Sequence, residues 1–219
     1  MKIHLQKELD KLKRQLFHLS AVVEENFQLS IKAVFEGDVE LGKKVRERDD
    51  EIDQLEVEVE EECLKILALH QPVAIDLRFL IVALKMNNDL ERIGDLAVNI
   101  ASGKACAAGE AMTPDLGARL QEMGEMASIM LRQSLEGLMA MDPVAARVVL
   151  AADDDVDDKY YEFAGLIKGL ITSEPDRAKA YISWLMAAKS IERVADHATN
   201  IAEDTIYSVE GEIVRHGRG

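Results

Sequence analysis

An eleven-residue stretch of this chain occurs twice. Glu91-Arg92-Ile93-Gly94-Asp95-Leu96-Ala97-Val98-Asn99-Ile100-Ala101 aligns with Glu192-Arg193-Val194-Ala195-Asp196-His197-Ala198-Thr199-Asn200-Ile201-Ala202, with seven of eleven positions identical at an offset of 101. Upstream, Asp49-Asp50-Glu51-Ile52-Asp53 aligns with Asp153-Asp154-Asp155-Val156-Asp157 at an offset of 104, and Asp38 pairs with Asp142 at the same offset. The change of offset fits a loop-length difference between copies. A chain of 219 residues that repeats itself in this way has two units of about a hundred residues, stacked on one another.

Each unit reads as three helices. Pro72, Pro114, Pro143 and Pro175 each stand near a restart of a helical pattern, where proline is tolerated. Glu36-Gly37-Asp38 adds a glycine stop beside an N-cap aspartate. These five breaks divide the chain into six segments, read as helices of about 26 to 35 residues, or about 40–50 Å each. Leu5, Leu9, Leu12, Leu16, Leu19 and Val23 alternate in steps of four and three, an a/d seam. Leu116, Leu120, Met123, Ala127 and Met130 repeat it in the second copy, and Val45, Ile52, Leu55, Val59 and Ile66 line one side of the second segment. Aromatic residues make up only 5% of the chain, which favours helices over sheets. The expected fold is all-α: two tandem three-helix bundles, residues 1–107 and 108–219, with a frayed tail from about residue 212. Short breaks make neighbouring helices antiparallel.

Four acid pairs stand at i, i+4 in matching places: Asp49/Asp53, Glu91/Asp95, Asp153/Asp157 and Glu192/Asp196. The spacing puts both carboxylates of a pair on one helix face. Like charges so placed cost a helix about 0.2–0.5 kcal/mol, and a bound cation reverses that sign. Asn99 and Asn200 extend two of the rows by a further four residues with neutral oxygen donors. Face to face, such helices offer an all-oxygen site for hard cations. With 41 acids in the chain, about eight i, i+4 acid pairs arise by chance, so no single pair carries the argument. Recurrence in register in both copies does. The stretch 47–62, with ten acids, otherwise reads as a solvated face.

Neighbouring residues have blander readings. Arg92 and Arg193 fit intrahelical ion pairs at least as well as pairing with ligand carboxylates. His197 lies about 100° round the helix from Asp196 and reads as a satisfied or exposed histidine. Trp184 reads as packing or a partner anchor. Cys63 and Cys106 read as small core thiols in a reducing compartment. No Glu-x-x-His, GxxxxGK[ST], GxSxG or HExxH occurs, and no nucleophile–base pair can be named. A formal charge of −15 repels phosphate backbones, which argues against nucleic-acid binding. The charged N-terminus and the shortness of the most apolar run, 79–84, argue for a cytoplasmic protein without membrane insertion.

Pro72-Val73-Ala74-Ile75-Asp76-Leu77-Arg78, Ala83-Leu84-Lys85 and Asn88-Asp89-Leu90-Glu91-Arg92-Ile93-Gly94-Asp95 closely resemble the PhoU family of accessory regulators of the high-affinity phosphate transporter, and 191–203 resembles that family's second motif. The resemblance spans essentially the whole chain. It implies a six-helix, two-repeat fold and multinuclear metal clusters, iron or zinc, held by Asp49, Asp53, Glu91, Asp95, Asp153, Asp157, Glu192 and Asp196; magnesium or manganese also suits the donors. It implies a non-enzymatic role that negatively regulates phosphate-starvation signalling and phosphate uptake by linking the transporter ATPase subunit to the sensor histidine kinase. The expected assembly is a homodimer. One departure stands out: Leu96 occupies the place where the family, like His197 here, has histidine. Two rival readings stand beside the adaptor: a metal-dependent phosphohydrolase, since clustered metals activate water, and a helical interaction protein without metal.

Overall fold

The computed structural model describes residues 2–102 and 112–211. Among them are six long helices and no strand: α1 (Lys2–Glu36), α2 (Val39–His70), α3 (Ile75–Ile100), α4 (Pro114–Ala140), α5 (Pro143–Ser173) and α6 (Ala178–Glu210). A single 3₁₀ turn, Pro175–Arg177, precedes α6. The expected boundary at 107/108, the expected frayed tail and Cys106 lie outside the described residues.

The breaks have the chemistry that the sequence announces, with one exception. Gly37 takes a left-handed φ of +66° and ends α1. Asp38 then caps α2, one carboxylate oxygen accepting from the amides of Glu40 and Leu41 at 3.0 Å each. The second copy repeats the device: Asp142 accepts from Val144 and Ala145 at 2.9 and 3.2 Å. The amides of Asp38 and Asp142 also close the preceding helices, bonding to Ala33 and Gly137 carbonyls. Pro114 and Pro143 begin α4 and α5 where an amide would lack a partner anyway. Pro72 differs. It lies in the connection before α3, after a left-handed Gln71 that ends α2.

α1, α2 and α3 pack on one another, as do α4, α5 and α6. The two triplets are not separate beads. α6 packs against α3 as extensively as against α4, and α1 also touches α4. One continuous core results, running from Leu9, Leu12, Leu16 and Leu19 of α1 to Ala187, Ile191 and Ile201 of α6. Each fully buried Leu, Ile or Val contributes about 1.5–3 kcal/mol. The a/d seam residues are buried in α4 and in α1 from Leu9 on, with Leu5 and Leu55 at the margin. Trp184 is 1% exposed and meets Tyr181 edge to face, so it packs the core rather than anchoring a partner. Cys63 is buried, and burial pushes its thiol up to about 12.

Candidate metal centres

Two surfaces carry the acid rows, one between α2 and α3, the other between α5 and α6. In the first, Asp49 leans over Gly94. A Cβ at Gly94 would stand 2.9 Å from Asp49 Oδ1 and 3.2 Å from Ile52 Cγ2, so the bare glycine gives α2 and α3 their close approach. Burial, then the charges of Asp53, Asp95 and Glu91, push the Asp49 carboxyl up to about 6. Glu91 is raised by the same two causes, burial and the neighbouring Asp95. In the second surface, burial and then Asp196, Asp157, Asp154 and Glu192 push Asp153 up to about 6. Glu192 and Asp196 are also raised, chiefly by burial. The fold therefore brings together Asp49, Asp53, Glu91 and Asp95, and separately Asp153, Asp157, Glu192 and Asp196, close enough to repel.

Among the described residues, however, no three acidic, histidine or cysteine side chains converge as a bound ion requires. Cations of the chain itself already engage several of the acids. Arg92 reaches Asp95 at 3.1 Å and Glu91 at 3.3 Å, an intrahelical arrangement. Lys189 binds Glu192 Oε1. The two asparagines are placed differently. Asn99 is exposed near the end of α3. Asn200 donates to Asp89 Oδ1 at 3.3 Å, across the seam between α6 and α3.

Does this donor set fit a cation? The oxygens are hard and anionic. Glu192 is 7% exposed, and its Oε2 is buried with no hydrogen-bond partner, an anionic oxygen lacking a donor. That is costly unless a cation or a donor approaches it. The donor chemistry suits a hard cation, while the side chains as placed do not converge on one point.

Four polar features escaped the sequence reading. Glu56 of α2 accepts from Asn87 Nδ2 through both its backbone carbonyl, at 2.9 Å, and Oε1, at 3.0 Å. Burial, with Glu60, Glu91 and Asp53, raises its carboxyl, so it belongs to the first acid surface. Asp89 accepts from His197 Nδ1 at 2.8 Å, since a carboxylate is the acceptor; this makes His197 a satisfied histidine. Lys85 pairs with Asp204 at 2.7 Å across the same seam. Finally, Glu62, at the end of the acidic stretch, is buried rather than solvated. Burial opposes its charge, but Lys11 and Lys65 hold it down to about 2. Both cations approach from outside the acid pattern, so i, i+4 counting misses them.

A duplicated helical scaffold with an acid-lined surface in each repeat, sealed along an inter-repeat seam, is the class of protein this architecture defines. The PhoU domain matches it twice, over residues 16–103 and 120–205. The chain belongs to the PhoU family. A Pseudomonas putida protein described as a phosphate-specific transport system accessory protein PhoU homolog is 34% identical over 209 residues, covering 95% of this chain and 82% of its own. An Aquifex aeolicus protein of the same description is 35% identical over 211 residues, covering 96% and 95%. The crystal structure of PhoU from Pseudomonas aeruginosa superposes with a TM-score of 0.90 at 33% identity, over 94% of this chain and 99% of that one. The phosphate transport system regulatory protein PhoU from Streptococcus pneumoniae gives 0.88 at 27% identity, over 97% and 100%.

Proposed function

We propose that this chain is a metal-binding regulatory adaptor of phosphate homeostasis. It lowers phosphate-starvation signalling and phosphate uptake when phosphate is plentiful, by linking the transporter ATPase subunit to the sensor histidine kinase. The observation that carries the regulatory reading is the family match, nearly end to end, to proteins described as accessory or regulatory parts of the phosphate transport system. Two features support the metal reading: acids crowded in register in both repeats, and a buried, unpartnered Glu192 oxygen. Iron and zinc are the proposed metals, with magnesium or manganese also suited to the oxygens. No helix among the described residues is long and apolar enough to cross a membrane. We place the adaptor in the cytoplasm, as a homodimer, without nucleic acid and without catalytic residues. Its work is docking, for which exposed charges tune encounter more than affinity.

Deletion tests this reading. Without the protein, phosphate-starvation genes stay on in phosphate-rich medium, and a plasmid copy switches them off again. Charge reversals on exposed faces away from the acid rows impair repression and pull-down of the transporter ATPase while leaving the fold and metal content intact. Normal repression in the deletion strain, or repression that survives loss of every partner contact, would overturn the adaptor. Phosphatase activity that depends on added metal would put a hydrolase in its place.

A further inference from the structure

Charge is unevenly spread over this acidic chain. Residues 1–23 hold five Lys and Arg against two acids, Glu8 and Asp10, while the rest of the chain holds 21 against 39. In α1, His4, Lys7, Lys11, Arg14 and His18 are all exposed, and their steps of three and four put them on one outward face. Beside it, α2 turns outward Asp50, Gln54, Val57, Glu61, Leu64 and Ala68, again in steps of four and three and all exposed, with Glu58 alongside. Three ion pairs fix the register of these two antiparallel helices: Glu8 with Lys65 at 2.8 Å, Lys11 with Glu62, and Glu25 with Arg48 at 2.5 Å. Lys11 and Arg14 therefore lie at the heights of Glu61 and Glu58. Further along, the signs reverse together: exposed Glu25 is level with Arg48, near exposed Lys44 and Arg46. Among the described residues, Lys7, Arg14, Glu58 and Glu61 make no ion pair within the chain.

We propose that a second copy of this chain docks here: the basic stripe of α1 lies on the acidic face of α2 in the partner, and the reverse, about a two-fold axis running along the helices. This rests on the homodimer proposed above and gives it an interface. Such an axis keeps heights unchanged, so Arg14 meets the partner's α2 at the height of Glu58, and Lys11 at that of Glu61. An axis across the helices, centred on the same stripe, would lay α1 on α1 and oppose like charges. A flat anionic surface such as a lipid bilayer would meet α1 and the acidic α2 together, so that attraction and repulsion offset each other. An acidic peptide would use α1 and leave α2 unmatched. A second copy answers both faces at once, and a two-fold interface counts every contact twice. Val57 and Leu64, 50% and 53% exposed, supply apolar contact within the acidic face, and the aliphatic stems of Lys7 and Lys11 can cover them. Residues 4–25 of α1 span about 33 Å, and two neighbouring helices are about 20 Å wide. The pair of faces would bury on the order of 1,200 Å² in total, the lower edge of stable specific interfaces. Asp49 leans toward Gly94 of α3, so the acid rows stay outside this contact. An interface of this size built on exposed charges is reversible and sensitive to salt.

Sedimentation velocity of the full-length protein, over a range of concentrations and at about 0.05 and 0.5 M salt, tests this. The expected result is a monomer–dimer equilibrium at least about tenfold weaker at the higher salt. Lys7→Glu with Arg14→Glu, and separately Glu58→Lys with Glu61→Lys, each weaken self-association at least about tenfold. Mixed in equal amounts, the two variants dimerise again. In that heterodimer one contact carries the charges exchanged and the other carries the native pairs, so both are complementary. Recovery on mixing also shows that neither variant is misfolded. A dimer that neither variant weakens, or variants that stay monomeric when mixed, overturns this interface while sparing the homodimer. A wild-type protein that is monomeric at every concentration overturns both. So does a monomer that floats with phosphatidylglycerol vesicles and loses them with Lys7→Glu and Arg14→Glu, which would assign the stripe to lipid.

Discussion

At the scale of single residues, the two repeats solve the same packing problem with different pairs. Gly94 faces Ile52 in the first, while the offsets place Ala195 and Val156 at these positions in the second. One side chain gains a carbon where the other loses one. Gly94→Ala should gain about 1 kcal/mol of helix propensity and lose about 1–3 kcal/mol to crowding against Ile52, for a net loss. Ile52→Val alone should cost about 0.5–1.5 kcal/mol. Together they reproduce the second repeat, and urea denaturation should show a favourable coupling of about 1 kcal/mol between them. Additive losses would mean that the size exchange is unrelated to fit. The comparison also shows what was legible. Asp49, Asp53, Glu91 and Asp95 could be read because they recur. Glu56 stands where the second copy has Tyr160, and Lys189 where the first has Asn88, and a search for what the copies share passes over what one copy alone has. Asp89 with His197, and Lys85 with Asp204, are 108 and 119 residues apart in the chain. No local spacing rule reaches that far.

At the scale of elements, the helices follow from the sequence almost completely. They run 26 to 35 residues, and the starts of α2 to α6 lie at or just after Asp38 and the four prolines, while the ends of α3 at Ile100 and α6 at Glu210 are marked by no proline. The reason is physical: heptad seams, caps and proline stops are local, and six long helices express them six times. The connection before α3 was less legible. There Pro72 follows the left-handed Gln71, and Ala74 also takes a positive φ, +52°, which no residue type in that stretch announces. The caps, by contrast, carry a matched prediction. Asp38 and Asp142 each satisfy two first-turn amides through one oxygen. Asp38→Ala and Asp142→Ala should each lower unfolding free energy by about 1 kcal/mol, with Asn in their place losing far less. The measurement is the urea midpoint at constant slope. An Asp→Asn loss as large as the Asp→Ala loss would show that charge beside the helix dipole, and not the hydrogen bonds, does the capping.

At the scale of the whole molecule, the core runs unbroken through both repeats, so strain at either acid surface loads one cooperative structure. That sets the pH dependence of stability. Asp49 and Asp153 have carboxyls raised from 3.8 to about 6 in the folded chain, by burial first and by neighbouring acids second. Between those values the folded state holds protons that the unfolded chain has released. The cost of ionising them is therefore absent below about pH 4 and fully present above about pH 6. Glu56, Glu91, Glu192 and Asp196 are shifted the same way. Glu62 is shifted the opposite way, and its stabilisation is lost only on acidification below the ordinary carboxylate range. In the presence of chelator, the melting temperature should rise as pH falls from 7.5 to 5, then drop below about pH 4. The two aspartates should account for on the order of 1–2 kcal/mol of this after solvent screening. Relief of the overall charge of −15 acts in the same direction, so a control must separate the two. Asp49→Asn with Asp153→Asn removes the half-buried carboxylates and only two of the negative charges. That variant should melt higher than the wild type at pH 7.5 and show a flatter rise toward pH 5. Mn²⁺ should flatten the wild-type rise as well, because a cation among the acids stabilises their ionised form. A double variant that keeps the full rise would assign the pH dependence to net charge and leave the two aspartates without a part in it.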